Sequence, residues 1–528
     1  MTPFGRNTSA RRAVLASVAE IFFMRKARCR IGAVSLFAVA AVPANLLGAL
    51  FPTPTPTPTP APLKVRLPDF VAGKPFPPVT PSAVKLPAER RTYFVSPGPA
   101  PGDGSEARPW NDLQTALRAL APGDRLRVRA GTYTGPVQID RSCKDGTAKE
   151  PIQVVFDGKA TLQPAAEGAI VTIARAHWWI VGCFLKLEDT EASGISLAGP
   201  DAHDVTLEGL RVLGGRGPSV RIGKDAARIS LLRCNMAKSP LKKATPSAFG
   251  VEIAAGAEDV VVSQSRLHEN PAGSIRVQAP TSEGKPARYL RIVGNSIYDD
   301  GATAIRVDAG DDVAITDNVF SDRTIETGTR AIVLTRVRRG DVRSNRISDF
   351  ALGIHVGHAD PDGRGTVAAE DVTIARNHLE TSRTGGTAVV IEAAHRAVVA
   401  NNLVSGYASG ILVFGKLPGT RDVTVANNLL LGLSDVAFLL ADPASAALFD
   451  YNVFSPAGPV LAEFGGASVP LAGFLKEGKM PHSELKPGVH ILQGDLARVM
   501  GLATVDRGTP VKGVPFKGAA PDIGVAER

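Results

Sequence analysis

Between Asp204 and Phe454 one short phrase recurs: an alternating apolar strand, an Asn with an apolar residue two places on, and a second short apolar strand. The landmarks are Asn295, Asn318, Asn345, Asn377, Asn402, Asn428 and Asn452, spaced 23, 27, 32, 25, 26 and 24 residues apart. Asn235 extends the series backwards, with Ser265 midway to Asn295. A period in the twenties combined with strand-type alternation predicts a solenoid whose repeat is a β-coil. In the copy that holds Asn318, Val313 and Ile315 face one way and Ala314 and Thr316 the other, as a period of two requires. Asn tolerates the left-handed backbone of a sharp turn between strands. Stacked Asn side chains are expected to hydrogen-bond along the solenoid axis. No single coil buries its own apolar face, so an all-β stack of about ten coils must build the core.

The ends of the chain read differently. Arg25, Lys26, Arg28 and Arg30 precede an apolar run from Ile31 to Ala41, followed by small residues up to Ala44. A basic stretch, an apolar stretch and small-residue cleavage sites make residues 1–50 an export signal or signal anchor, with the start at Met1 or Met24. The expected location is therefore secreted or periplasmic, with an uncleaved anchor as the one membrane link. Residues 1–30 carry a net charge of +6 out of the total of +9, so only +3 remains for the other 498 residues. Bulk charge thus gives no support to a nucleic-acid partner. Residues 51–90 are Pro-rich and open with Thr-Pro repeats, the composition of a stiff, extended spacer. Cys143, Cys183 and Cys234 remain beyond the export segment, without metal-ligand spacing, and are expected as buried core thiols, with one disulfide as the alternative in an oxidising compartment. The expected solution state is a monomer.

Residues 91–140 form the expected N-terminal cap. A strand from Arg91 precedes a loop and then a short amphipathic helix from Trp110 to Leu120, with Leu113, Ala116, Leu117 and Leu120 on its apolar face. A helix across an open solenoid end covers exposed core and strand edges. These blocks, from Tyr93 to Pro97, Trp110 to Leu117, Pro122 to Asp124 and Arg129 to Gly135, resemble the opening of secreted right-handed parallel β-helix proteins of the pectate lyase superfamily. The closing segment from Pro521 to Glu527 resembles the end of many such proteins. The resemblance implies a right-handed parallel β-helix over residues 141–455, with residues 456–528 as a tail packing on it. Fold-level resemblance of this kind does not transfer an activity.

The second strand of each copy supplies a candidate functional face. Its triplets include Val220-Arg-Ile222, Val251-Glu-Ile253, Ile275-Arg-Val277, Ile305-Arg-Val307 and Ile354-His-Val356. The outer two residues point into the coil and the middle one points out. The outward column therefore reads Ser196, Arg221, Glu252, Arg276, Arg306, Val333, His355, Val390, Leu412 and Leu439, with Gln278, Asp308, Thr335 and Glu392 two places further on. Three Arg in near succession, offset only in part by Glu252, suit an anionic ligand.

In the lyases that this chain resembles, the substrate lies along this sheet. The resemblance therefore implies an acidic, uronate-containing polysaccharide as partner, acted on by β-elimination or C5 epimerisation. By residue chemistry, Arg276 and Arg306 would neutralise the carboxylate and His355 would be the general base. Glu252 or Asp308 would orient the base or hold a cation. Arg221, Gln278, Arg336, His358 and Glu392 complete the expected substrate contacts. The segment from His358 through Asp360 and Asp362 to Arg364 suits Ca²⁺, the one cofactor left open, although a plain turn explains the same residues. No other metal ligand set stands out. The calcium clusters and catalytic Lys of the known lyases are missing, as is the Asp-Pro-His motif of the alginate epimerases. The rival expectation is accordingly a non-catalytic envelope protein that binds glycan or acts as a scaffold. Above Val390 the column turns apolar, and a loop or the C-terminal tail is expected to cover it.

Overall fold

The computed structural model describes residues 86–165, 168–188, 193–237, 249–281, 284–322, 328–357, 369–414, 420–486, 507–516 and 521–524. The expected export segment, residues 51–85 of the spacer, and the loop with His358, Asp360, Asp362 and Arg364 lie outside those residues.

Each coil has three strands, on faces termed A, B and C in chain order. Near Asn318 the strand Thr303–Thr316 runs unbroken from face C into face A, and the chain then enters Val319–Ser321 on face B. Thr303–Thr316 and Arg330–Arg343 join faces A and C into one hydrogen-bonded sheet of 27 strands, while face B is a separate sheet of 14. Among the described residues every strand pairing is parallel except that of Leu461–Phe464 with Ala467–Pro470. The solenoid is longer than the ten coils expected, because the coils before Ser265 and after Asn452 lack the Asn landmark. Inward side chains of all three faces form one continuous core from Val95 to Met480.

The Asn ladder is present and its chemistry is specific. Asn345 Oδ1 accepts from the Asn318 backbone N–H and from Asn318 Nδ2, both at 3.0 Å. The same pattern links Asn295, Asn318, Asn345, Asn377, Asn402, Asn428 and Asn452 in turn. Each Nδ2 also donates to a face A carbonyl of the coil before, such as Asn345 Nδ2 to Ile315 O at 2.8 Å. Every buried turn amide thereby gains a partner, as burial demands. Ser265 and Ser483 terminate the ladder.

Two expectations about the ladder need correction. The left-handed residue is the one before each Asn: Gly294, Asp317, Ser344, Arg376, Asn401, Asn427 and Tyr451 have φ between 54° and 66°. The turn is made there, so the Asn side chain is released into the core to stack. Asn235 is also one residue out of register. Cys234 occupies the ladder position, where its backbone N–H donates to Ser265 Oγ at 3.0 Å. Cys143, Cys183 and Cys234 are free and buried, and burial pushes their thiols up.

Both ends are capped. Helix α1 (Leu113–Ala119) starts later than expected because the Asp112 side chain accepts from Thr115 N and fixes the N-cap there. Its Gln114 amide donates to Gln138 O at 2.8 Å and accepts from Gln138 N at 2.7 Å. The side chain thus imitates a neighbouring strand and satisfies the first edge of face C. At the far end, α2 (Leu471–Lys476) buries Leu471 and Phe474 in a cluster with Phe438, Phe454 and Phe464.

The C-terminal segment does not cover the upper part of the face C column, among the described residues. Val511 and Val514 pack on Ala375, Ala400 and Ala426, and Ile523 on Leu403, Leu429, Leu431 and Val453. These are outward positions on either side of the Asn turns. Asn427, left-handed and beside the ladder, bonds the backbone of Thr509 through both amide atoms at 2.8 and 2.9 Å. Folded contacts also begin before Arg91, since Leu86 packs with Val155, Trp179 and Val181 on face A.

Candidate functional site on face C

Residue pairing places the expected column in one file. Ser196 pairs with Arg221, Arg221 with Glu252, Glu252 with Arg276, and Arg276 with Arg306. Val333, His355, Val390, Leu412 and Leu439 follow, and Glu463 ends the file. Ile275, Val277, Ile305, Val307, Ile354 and Val356 flank these residues and are fully buried, which forces the intervening side chain outward. Successive members lie about 4.8 Å apart along the axis.

The central feature is Asp308. Arg276 Nε donates to Asp308 Oδ2 at 3.0 Å, and Arg306 Nε donates to Asp308 Oδ1 at 2.6 Å. One buried carboxylate thus holds two guanidinium groups from consecutive coils. Arg336, exposed on the next coil, donates to the Asp308 backbone carbonyl at 3.5 Å. The side chains of Arg276 and Arg306 remain 36% and 50% exposed. Arg276 also lies over the buried Phe249 ring at 5.9 Å, a contact that sequence reasoning missed because Phe249 lies two residues before its strand.

This geometry corrects the idea that the Arg column repels itself with partial relief from Glu252. Glu252 is buried and pairs with Arg221 at 3.5 Å, and the other two Arg share Asp308. The clamp uses the Nε of each guanidinium, so both groups are held in place before any ligand arrives. Preorganised donors lose less entropy on binding.

His355 sits apart from this group. It lies two coils beyond Arg306, with the buried Val333 between, at an axial separation of about 10 Å. Its side chain is only 8% exposed, and Nε2 is 3.3 Å from Glu392 Oε2. Neither Glu252 nor Asp308 orients it; Glu392 does. Gln278 and Thr335 are half-buried beside the column. The structure thus brings together Arg276, Arg306, Asp308 and Arg336, sets Arg221 with Glu252 next to them, and places the His355–Glu392 pair separately.

Sequence reasoning did not single out His177, His203 and Asp204, whose ligand atoms lie within 4.8 Å of one another at the turns from face C to face A. A signal was present: His177 and Asp204 are 27 residues apart, one coil of this solenoid.

A family model agrees with the fold. The family model described as right handed beta helix region matches residues 249–458. None of the curated proteins matches the chain in sequence. Among solved structures, pectate lyase Pel9A is 16% identical, with 84% of this chain and 97% of that chain covered, and a TM-score of 0.41. PfbA, a surface adhesin of Streptococcus pneumoniae, is 14% identical, with coverage of 68% and 89% and a TM-score of 0.47. An alginate lyase from Paenibacillus sp. str. FPU-7 is 17% identical, with coverage of 62% and 94% and a TM-score of 0.39. The chain folds as a right-handed parallel β-helix.

Proposed function

We propose that this β-helix is an exported protein that binds an acidic, uronate-containing polysaccharide along face C, with Arg276 and Arg306 as the primary carboxylate contacts. The observation that carries this reading is the Asp308 clamp, which presents two half-exposed guanidiniums on neighbouring coils. Exposed Arg336 and Arg221 continue the cationic line on either side. A repeating polyanion meets a repeating set of donors, and planar Arg groups suit carboxylates. The basic N-terminal stretch and the apolar run after it support export to the cell envelope or beyond.

Binding is tested by titrating the full chain with alginate, polygalacturonate and a neutral glucan. Uronate polymers are expected to bind in a salt-sensitive manner, and the neutral polymer not to bind. Arg276→Ala/Arg306→Ala is expected to weaken uronate binding by at least tenfold. Equal binding of wild type and double variant would overturn the assignment.

A second reading, β-elimination or C5 epimerisation with His355 as base, is favoured by the His355–Glu392 contact, which would fix the imidazole tautomer. The burial of His355 and its two-coil separation from Arg306 make binding the better-supported reading. Absorbance near 235 nm during incubation with uronate polymers reports the unsaturated sugar of elimination. A rise that His355→Ala abolishes without loss of affinity would establish a lyase. A rise that His355→Ala leaves intact would refute this base.

A further inference from the structure

A second cluster of chemistry-bearing side chains lies on the C-to-A turns, away from the face C column. His177 immediately precedes the face A strand Trp178–Val181, and the next coil opens face A with His203–Glu208. Thr206 pairs with Trp179, so Asp204 stacks on His177, and His177 N donates to His203 O at 3.1 Å. Both His177 and Asp204 adopt left-handed backbones, with φ of 57° and 54°. His203 Nδ1 is 2.7 Å from Asp204 Oδ2, and His177 Nε2 is 3.9 Å from the same oxygen.

We propose that His177, His203 and Asp204 form a divalent transition-metal site, suited to Zn²⁺, that clips two consecutive coils together. Two imidazole nitrogens and one carboxylate oxygen are a donor set for a borderline ion. Ca²⁺ and Mg²⁺ would ask for more oxygen ligands than the cluster offers. Donors held at about 2.1 Å by a tetrahedral ion lie about 3.4 Å from one another. The observed 2.7 and 3.9 Å bracket that value, and all three donor atoms lie within 4.8 Å of one another, so side-chain shifts on the order of 1 Å bring them into range. The three side chains are 23%, 35% and 26% exposed, which leaves a path from solvent and room for water as fourth ligand.

The competitor for the site is Arg228. It holds both Asp204 oxygens at 2.8 Å, and its Nη2 is 3.2 Å from His203 Nδ1. Its side chain is 51% exposed. An exposed ion pair of this kind shifts an equilibrium by roughly 1.5- to 5-fold, far less than three direct ligands contribute to a bound Zn²⁺. Arg228 therefore acts as a latch that occupies the carboxylate without metal and swings out when the ion enters.

The test is calorimetric titration of the full chain with Zn²⁺, together with thermal melts. One Zn²⁺ per chain is expected, with affinity falling at least tenfold in His177→Ala and in His203→Ala. Arg228→Ala leaves all three ligand residues in place and removes the competitor, so its affinity is expected to rise roughly 1.5- to 5-fold. Zn²⁺ is expected to raise the melting temperature of wild type and not of His203→Ala. Absence of stoichiometric binding, binding unchanged in both His variants, or weakened binding in Arg228→Ala would each overturn the proposal.

Discussion

Replacing Asn345 by Ala removes four hydrogen bonds from the middle of the ladder. Asn345 Oδ1 accepts from Asn318 N and Nδ2, and its Nδ2 donates to Ile315 O and Asn377 Oδ1. Two of these partners keep another bond: Asn318 Nδ2 still reaches Ile292 O, and Asn377 Oδ1 still accepts from Asn345 N. The Asn318 N–H and the Ile315 carbonyl lose the partner that the ladder supplied, in a fully buried turn. Each such loss costs about 1–3 kcal/mol, and each bond lost by a group that keeps a partner about 0.5–1.5 kcal/mol. The expected destabilisation is on the order of 3–9 kcal/mol, a large part of a typical domain's stability. Urea unfolding followed by far-UV circular dichroism gives the loss, and hydrogen exchange locates it. Exchange should accelerate most at the turns of Asn318, Asn345 and Asn377, because each coil leans only on its neighbours. Asn345→Cys, which copies the occupant of the same place at Cys234, should fall between wild type and Asn345→Ala. A loss below about 1 kcal/mol, or a uniform rise in exchange along the solenoid, would refute the reasoning.

Burial pushes the Asp300 carboxyl up to about 7, although it accepts from Asn270 N at 3.0 Å. Its folded form keeps a proton that the unfolded chain gives up near pH 4, so stability is full below about pH 4 and declines as pH rises through 7. Asp300→Asn should remove that decline, worth on the order of 4 kcal/mol between its ends, and should raise the melting temperature most at pH 8. A variant whose melting curve keeps the wild-type pH dependence would exclude Asp300 as its source. Gly273 has φ of 132°, and an added Cβ would lie 1.8 Å from Thr303 O on the next coil. Gly273→Ala should therefore destabilise by about 2 kcal/mol or more and disturb the strand that carries Arg276, which denaturant unfolding checks. Asp308→Ala should release Arg276 and Arg306 from their clamp and weaken uronate binding through lost preorganisation, even though net charge becomes more positive. Tighter binding in that variant would mean that charge alone governs affinity.

Much of the architecture was legible because a β-coil writes itself twice, once in the alternation of each strand and once in the spacing of its turns. The face C file from Arg221 to Leu439 could be read in order because period two admits only one outward residue between Ile305 and Val307, or between Ile354 and Val356. The ladder from Asn295 to Asn452 was visible for a similar reason: seven copies of one residue at one place in the coil leave little choice of register.

Where the coils carried no landmark, sequence pattern misplaced residues, as with Asn235 for Cys234. It also assigned the left-handed turn to the Asn instead of to its predecessor, since Gly294, Asp317, Ser344 and Arg376 share no side-chain type.

The sequence by itself determined that the chain must stack, which faces are apolar, and which polar residues stand in one file. Those properties depend on nearest neighbours along the backbone and on a repeat that survives unequal turns. Only the tertiary structure decided how the polar residues pair. Asp308 joins Arg276 to Arg306 across 30 residues of chain, Glu392 reaches His355 across 37, and Asp204 meets His177 across 27. A carboxylate two places along one coil, and an Arg on the coil before, become neighbours only when strands settle about 4.8 Å apart. Turn length, side-chain reach and burial then choose among several partners of equal sequence merit, and that choice decides whether a row of Arg is a repelling surface or a clamp.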